Sequence, residues 1–236
     1  MCRPLVISHA ACGGHAPENT LAGVGKALEL GADAIEIDVQ ATADAVPILM
    51  HDLTVDRTTN GSGEVAKLFL EELRALDAGG EPPPSLAEVL AITRGRALLT
   101  IEIKQPGIEN LIADVVRDSR SLNDVMVWSF FPQALESMSA AEARIPAALL
   151  LSPESLRLWP ESRERAIRLG VQGVSAFFAG IDERLARDCQ RSGLALYAWT
   201  PDRPQDISRL IELKIDGICT NFPDRALTLL DRQERP

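Results

Sequence analysis

The chain has 236 residues, 46% of them hydrophobic, and a formal net charge of −10. A mean hydropathy near zero, with no apolar run approaching the roughly 18 residues of a membrane span, predicts a soluble globular protein. The acidic balance argues against nucleic acid or an anionic membrane surface as a general partner, because both select basic faces.

From the N-terminus, MCRPLVISHA lacks the long apolar stretch of a signal peptide, so a cytoplasmic location is expected. Cysteines 2, 12, 189 and 219 have neither CxxC spacing nor dense packing, and reduced structural thiols follow. Strands are expected at Leu5 to His9, Ala34 to Val39, Pro47 to His51, Ala97 to Lys104, Val125 to Phe130, Ala147 to Leu151, Gly173 to Ala176, Leu194 to Thr200 and Gly217 to Thr220. Helices are expected over 19–30, 85–93, 107–120, 132–142, 160–169, 182–192 and 205–213. Such alternation predicts a parallel sheet covered by helices, and the length suits one TIM-type (β/α)8 barrel spanning 1–236 as a single domain.

Nine strands are one too many for that ring. The link from Val39 to Pro47 is also too short for a crossover helix. One strand is therefore expected outside the ring, and the Thr42 to Ala45 link could instead turn a hairpin returning His51 to about the level of Ile37; either topology places His51 near Glu36 and Asp38. The turn-rich segment 52–84, with a short helical EELRAL, reads as an insertion over the C-terminal mouth.

The chemistry concentrates early. All three histidines lie between His9 and His51. In AIEIDV the carboxylates of Glu36 and Asp38 share one strand face, and in LLTIEIKQ Glu102 and Lys104 do the same. Three oxygen ligands from two strands suit a hard divalent cation, Mg²⁺, Ca²⁺ or Mn²⁺, better than zinc. That leaves His9 and His51 for general acid/base work at the mouth. Spacing alone also admits acids paired with arginines and histidines satisfied in the core.

The motifs SHAACGGHAPENT, GADAIEIDVQATADAVPILMHDLTVDRTTNGSG and LLTIEIKQP, followed by VWSFFPQAL, LYAWTPDRP and DGICTNFPD, resemble the glycerophosphodiester phosphodiesterase family over nearly the whole chain. The resemblance implies a metal-dependent hydrolase that cleaves glycerophosphodiesters to glycerol 3-phosphate and an alcohol. It implies His9 and His51 as catalytic pair, Glu36, Asp38 and Glu102 as ligands of one cation, and Lys104 on the phosphate side. Trp199 and Phe130 are candidate substrate contacts; as alternatives, Trp199 is a core aromatic and WSFF mainly a buried run. Glu18 and Asn19 organise the first loop, or Asn19 is only a helix N-cap. Arg57 is expected in a salt bridge, His15 outside the chemistry, and Trp128 and Trp159 in packing.

One departure matters. The family usually has His-Arg where this chain has His9-Ala10, which removes a guanidinium from the phosphate. A charge-assisted hydrogen bond of that kind contributes roughly 1.5 to 3 kcal/mol. The resemblance thus leaves two outcomes: an enzyme on a small substrate such as glycerophosphocholine or glycerophosphoethanolamine, or a metal- and phosphate-binding protein with weak or altered activity. A lipid phosphodiesterase is disfavoured, since no amphipathic membrane-docking segment is visible and no stable membrane association is expected. A homo-oligomer is left open.

Overall fold

The computed structural model describes residues 3–234, so Cys2 lies outside the described residues. The strands are β1 (Leu5–Ser8), β2 (Ala34–Ala41), β3 (Pro47–Leu49), β4 (Leu98–Ile103), β5 (Val125–Ser129), β6 (Ala147–Leu151), β7 (Gly173–Phe177), β8 (Ala195–Trp199) and β9 (Gly217–Thr220). Parallel pairing runs from β1 through β2, β4, β5, β6, β7, β8 and β9 and back to β1, closing a barrel of eight strands. The helices are α1 (Leu21–Leu30), α2 (Leu70–Arg74), α3 (Leu86–Thr93), α4 (Glu109–Asp118), α5 (Pro132–Ala141), α6 (Pro153–Arg157), α7 (Trp159–Leu169), α8 (Glu183–Arg191), α9 (Pro204–Glu212) and α10 (Pro223–Glu234).

Period-two alternation divides each strand between two environments. Outward residues such as Val6, Ile35, Ile37, Leu99 and Ile101 pack with the helices in the main core. Inward residues Ile7, Met126, Trp128, Leu150, Tyr197 and Cys219 fill the lumen. Burying such a side chain stabilises by about 1.5 to 3 kcal/mol, so the filled lumen makes a firm floor beneath whatever lies at the mouth. Trp128 and Trp159 are both buried as packing residues, and Cys12, Cys189 and Cys219 are buried free thiols.

β3 is the strand outside the ring. It pairs antiparallel with β2 in the register Val39↔Leu49, Gln40↔Ile48, Ala41↔Pro47. The turn at Thr42 to Ala45 is closed by Thr42 Oγ1, which donates to Asp44 Oδ1 at 2.6 Å and accepts from the Val46 N–H at 2.9 Å. β1 ends at Ser8, paired with Ile35, so the same edge of β2 is free beyond that point and β3 takes it. The ends of β1 and β3 therefore approach each other along one edge. The insertion that follows has a small core of its own, Ile48, Met50, Val55, Val65 and Leu73. No helix among the described residues is long and apolar enough to cross a membrane.

The helix patterns at 19–30, 85–93 and 107–120 appear as α1, α3 and α4, each slightly trimmed at its ends. α1 begins one residue later than an Asn19 cap would need: Thr20 is the N-cap, its hydroxyl accepting from the Gly23 N–H at 3.1 Å. α6 and α10 were not anticipated. α10 buries Pro223, Ala226 and Leu230 and packs Leu227 and Leu229 against the main core.

Candidate active site

The inward positions at the mouth of β2 and β4 carry the acids. Glu36, Asp38 and Glu102 each bring one carboxylate oxygen to within 4.8 Å of the other two. Asp38 and Glu102 are directly paired in the register. Glu36 Oε2 accepts from the Ala10 N–H at 2.8 Å, but Glu36 Oε1 is buried with no hydrogen-bond partner. Burial, followed by the charges of Asp38 and Glu102, pushes the Glu36 carboxyl well above its usual range. Glu102 is pushed up to about 7, first by burial and then by Asp38. Lys104 offsets part of this, with its ammonium 2.8 Å from Glu102 Oε1 and 3.4 Å from Asp38 Oδ1. An orphaned carboxylate oxygen among two buried acids and a partly buried third, Glu102, is the environment a hard divalent cation satisfies, and these donors fit one.

Asn19 settles the Asp38 side. Its Nδ2 donates to Asp38 Oδ2 at 2.8 Å and its Oδ1 accepts from the Asp38 N–H at 3.0 Å, so it organises the acid cluster. Ala10, at φ 47°, turns the chain after His9 so that its N–H can reach Glu36.

His9 and His51 line the same cavity of about 520 Å³, beside Ala10, Arg57, Asn221 and Phe222. The first histidine leaves the end of β1, with Nδ1 2.9 Å from Asn221 Oδ1 and Nε2 4.0 Å from Glu36 Oε2. His51 follows β3, and the Met50 N–H donates to the Asp38 carbonyl at 3.0 Å, which puts His51 level with Ile37. Gln40, inward on β2, donates to the Met50 carbonyl at 3.0 Å and also to that of Asp52, pinning this turn. His51 Nδ1 lies 2.7 Å from Asp52 Oδ1. Arg57 donates to Asp52 and, in a two-pronged contact at 2.8 and 2.6 Å, to Glu18. The expected salt bridge of Arg57 is present, and the Arg57 and His51 hydrogen bonds hold the Asp52 carboxyl down at about 2.

An aromatic wall stands on the far side. Phe130 at the end of β5 meets Trp199 at the end of β8 edge-on, ring centroids 5.6 Å apart, and Phe177 lies 5.4 Å from Trp199. Trp199 Nε1 donates to the Ser175 carbonyl at 3.1 Å, while Phe130 is exposed at the mouth. His15 pairs with Asp224 at 2.7 Å, away from the acid cluster. Sequence reasoning missed Gln40, Asp52, Asp202 and Asn221. Asp52 beside His51 and Gln40 on the strand face of Glu36 and Asp38 carried visible signals, whereas Asp202 and Asn221 meet His9 only through loops distant in sequence.

Residues 9–225 match the model of the glycerophosphoryl diester phosphodiesterase family. The chain is 35% identical to a glycerophosphodiester phosphodiesterase of Caldanaerobacter subterraneus subsp. tengcongensis, with 97% of this chain and 98% of that one covered. Among solved structures it resembles an Oleispira antarctica phosphodiesterase in complex with the product sn-glycerol-3-phosphate, at TM-score 0.86 and 27% identity over 97% of both chains. It likewise resembles a glycerophosphodiester phosphodiesterase of Agrobacterium tumefaciens str. C58, at TM-score 0.84 and 26% identity over 95% of this chain and 99% of that one. The chain belongs to the glycerophosphoryl diester phosphodiesterase family.

Proposed function

We propose that this phosphoric diester hydrolase cleaves small glycerophosphodiesters, such as glycerophosphocholine or glycerophosphoethanolamine, to glycerol 3-phosphate and an alcohol. One divalent cation, Mg²⁺ or Ca²⁺ with Mn²⁺ as a further choice, is held by Glu36, Asp38 and Glu102. The observation that carries the reading is the convergence of two histidines on one cavity beside three clustered carboxylates. The product complex of the Oleispira antarctica relative supports the substrate class.

When bound, the cation supplies positive charge for a phosphate oxygen and lowers the pKa of the neighbouring glycerol hydroxyl. One histidine removes that hydroxyl's proton as its oxygen attacks phosphorus, the other protonates the departing alcohol oxygen, and water then opens the resulting cyclic phosphate to glycerol 3-phosphate. Lys104 presents an ammonium to the phosphate from beside Glu102. Trp199 and Phe130 offer an apolar face to the carbon skeleton of the glycerol. Ala10 supplies no charge, so the phosphate is gripped by fewer cations than in relatives with arginine there.

The test is release of glycerol 3-phosphate from a panel of glycerophosphodiesters, with and without chelator. His9→Ala and His51→Ala are each expected to lower kcat by about 10²- to 10⁴-fold. Chelation is expected to abolish release. Folded, metal-loaded protein that releases nothing from any substrate would overturn the reading and favour a metal- and phosphate-binding role on the same scaffold.

A further inference from the structure

The two histidines are backed by chemically different partners. His51 Nδ1 faces a carboxylate, Asp52, whereas His9 Nδ1 faces the amide oxygen of Asn221. Asn221 is held from behind by a second carboxylate. Its Nδ2 donates to Asp202 Oδ2 at 2.9 Å, and its backbone N–H donates to Asp202 Oδ1 at 3.0 Å. Thr220 Oγ1 donates to the same Oδ1 at 3.0 Å, and Arg225 donates to the Asp202 carbonyl at 2.7 Å. Asp202, on the loop after β8, is thereby tied to the end of β9 and the start of α10.

Each link has a fixed polarity. A carboxylate only accepts, so the Asn221 NH₂ must face Asp202 and its oxygen must face His9. An amide oxygen also only accepts, so His9 Nδ1 must carry the proton. A neutral imidazole has one N–H, which leaves Nε2 with a bare lone pair. That nitrogen lies on the Glu36 side, 4.0 Å from Oε2 and beyond hydrogen-bond length. We infer that Asp202 is a positioning residue for His9, acting through Asn221 to hold the imidazole as its Nδ1–H tautomer with Nε2 turned toward the carboxylate cluster.

The inference rests on the phosphodiesterase reading and deepens it, because it makes His9 the acceptor of the glycerol proton. In that step the hydroxyl O–H bond breaks, a new Nε2–H bond forms, and the electron pair left on the oxygen makes the new bond to phosphorus while the bond from phosphorus to the alcohol breaks and the alcohol oxygen takes a proton from His51. The positive charge gained by the ring is met at Nδ1–H by the Asn221 oxygen.

The discriminating variant is Asp202→Asn, which is nearly isosteric. The Asn221 backbone N–H keeps the amide oxygen of the variant on its own side, so the new NH₂ faces the Asn221 side chain, which turns its oxygen to it and its NH₂ to His9 Nδ1. The readout is long-range ¹H–¹⁵N NMR of ¹⁵N-histidine-labelled, metal-free protein at a pH where imidazoles are neutral, with His9 assigned through His9→Gln. Wild type is expected to show a protonated Nδ1 and a pyridine-like Nε2. Asp202→Asn is expected to populate the Nε2–H form and lower kcat about 10- to 100-fold with KM unchanged. The double variant Asp202→Asn with Asn221→Asp restores an obligate acceptor beside His9 and is expected to restore the Nδ1–H form.

A wild-type His9 protonated on Nε2 would overturn the inference, and that measurement needs no variant to fold. So would an unchanged tautomer in Asp202→Asn, even with lower kcat, since the effect would then be structural. Failure of the phosphodiesterase reading is separate: it shows as wild type without turnover, whereas the tautomer is read without substrate.

Discussion

Arg57 holds two carboxylates that do different things. Asp52 faces His51, and Glu18 belongs to the first loop, so one guanidinium ties the loop after β3 to the loop after β1. Its half-exposed setting limits its contribution to stability, since ion pairs at such sites contribute about 0 to 1 kcal/mol. Its effect on geometry is larger. Arg57→Ala is expected to change thermal stability little and to lower kcat about tenfold by freeing Asp52, and with it the His51 ring. Arg57→Lys is expected to fail as a rescue, because an ammonium cannot reproduce the fork that spans both acids. Ala10 offers the converse experiment. Its backbone already sits at φ 47° and its side chain borders the cavity of about 520 Å³, so a longer side chain has room to extend. Ala10→Arg is expected to lower KM, or raise kcat/KM, by roughly ten- to a hundredfold through one charge-assisted bond to phosphate. An unchanged kcat/KM would show that the phosphate does not lie against this position.

The β2–β3 hairpin is the element that makes the site, because it brings a second histidine to an edge that β1 leaves free. Its turn carries Ala45 at φ 61°. A non-glycine residue there costs roughly 1 to 2 kcal/mol, and glycine returns part of that through unfolded-chain entropy. Ala45→Gly is accordingly expected to stabilise by about 0.5 to 1 kcal/mol in denaturant titration, with kcat unchanged. This element was legible in part: period-two acids in AIEIDV and a link too short for a helix put His51 near the acids in either topology, and the pairing of β3 with β2 makes it a hairpin. The ring strands were legible for the same reason, as runs such as Ala147–Leu151 have no polar interruption. α10 escaped because its apolar residues crowd into the short run ALTLL, too brief to display a helical period. Asp202 and Asn221 escaped for a different reason. Both lie in motifs that carry the resemblance, LYAWTPDRP and DGICTNFPD, but no local spacing links either to His9; that link arises only when closure brings β9 beside β1, across 212 positions between His9 and Asn221.

Barrel closure also sets how the whole molecule responds to pH. The lumen beneath the mouth is apolar, so Glu36 and Glu102 are ionisable groups standing on a dry floor. Both are held above their ordinary carboxyl values by burial first and neighbouring acids second, and Lys104 compensates only in part. The folded protein therefore holds protons more tightly than the unfolded chain. Stability contributed by these groups is fully present below their unfolded values near 4.5 and is lost as pH rises, through about 7 for Glu102 and through the raised value of Glu36. For Glu102 the loss is on the order of 3 kcal/mol, which in a chain of this size corresponds to roughly 6 to 12 °C. A divalent cation bound to the same oxygens takes the place of those protons, so it opposes the loss. Chelated protein is expected to melt at progressively lower temperature from pH 5 to pH 8, and saturating Mg²⁺ or Ca²⁺ is expected to raise the melting temperature far more at pH 8 than at pH 5. Glu102→Gln replaces one titrating group with a neutral amide, and it is expected to flatten the slope in chelated protein while shrinking the gain from cation. A wild-type melting curve independent of pH over that range, with or without cation, would show that the three carboxylates do not share a dry, cation-binding site.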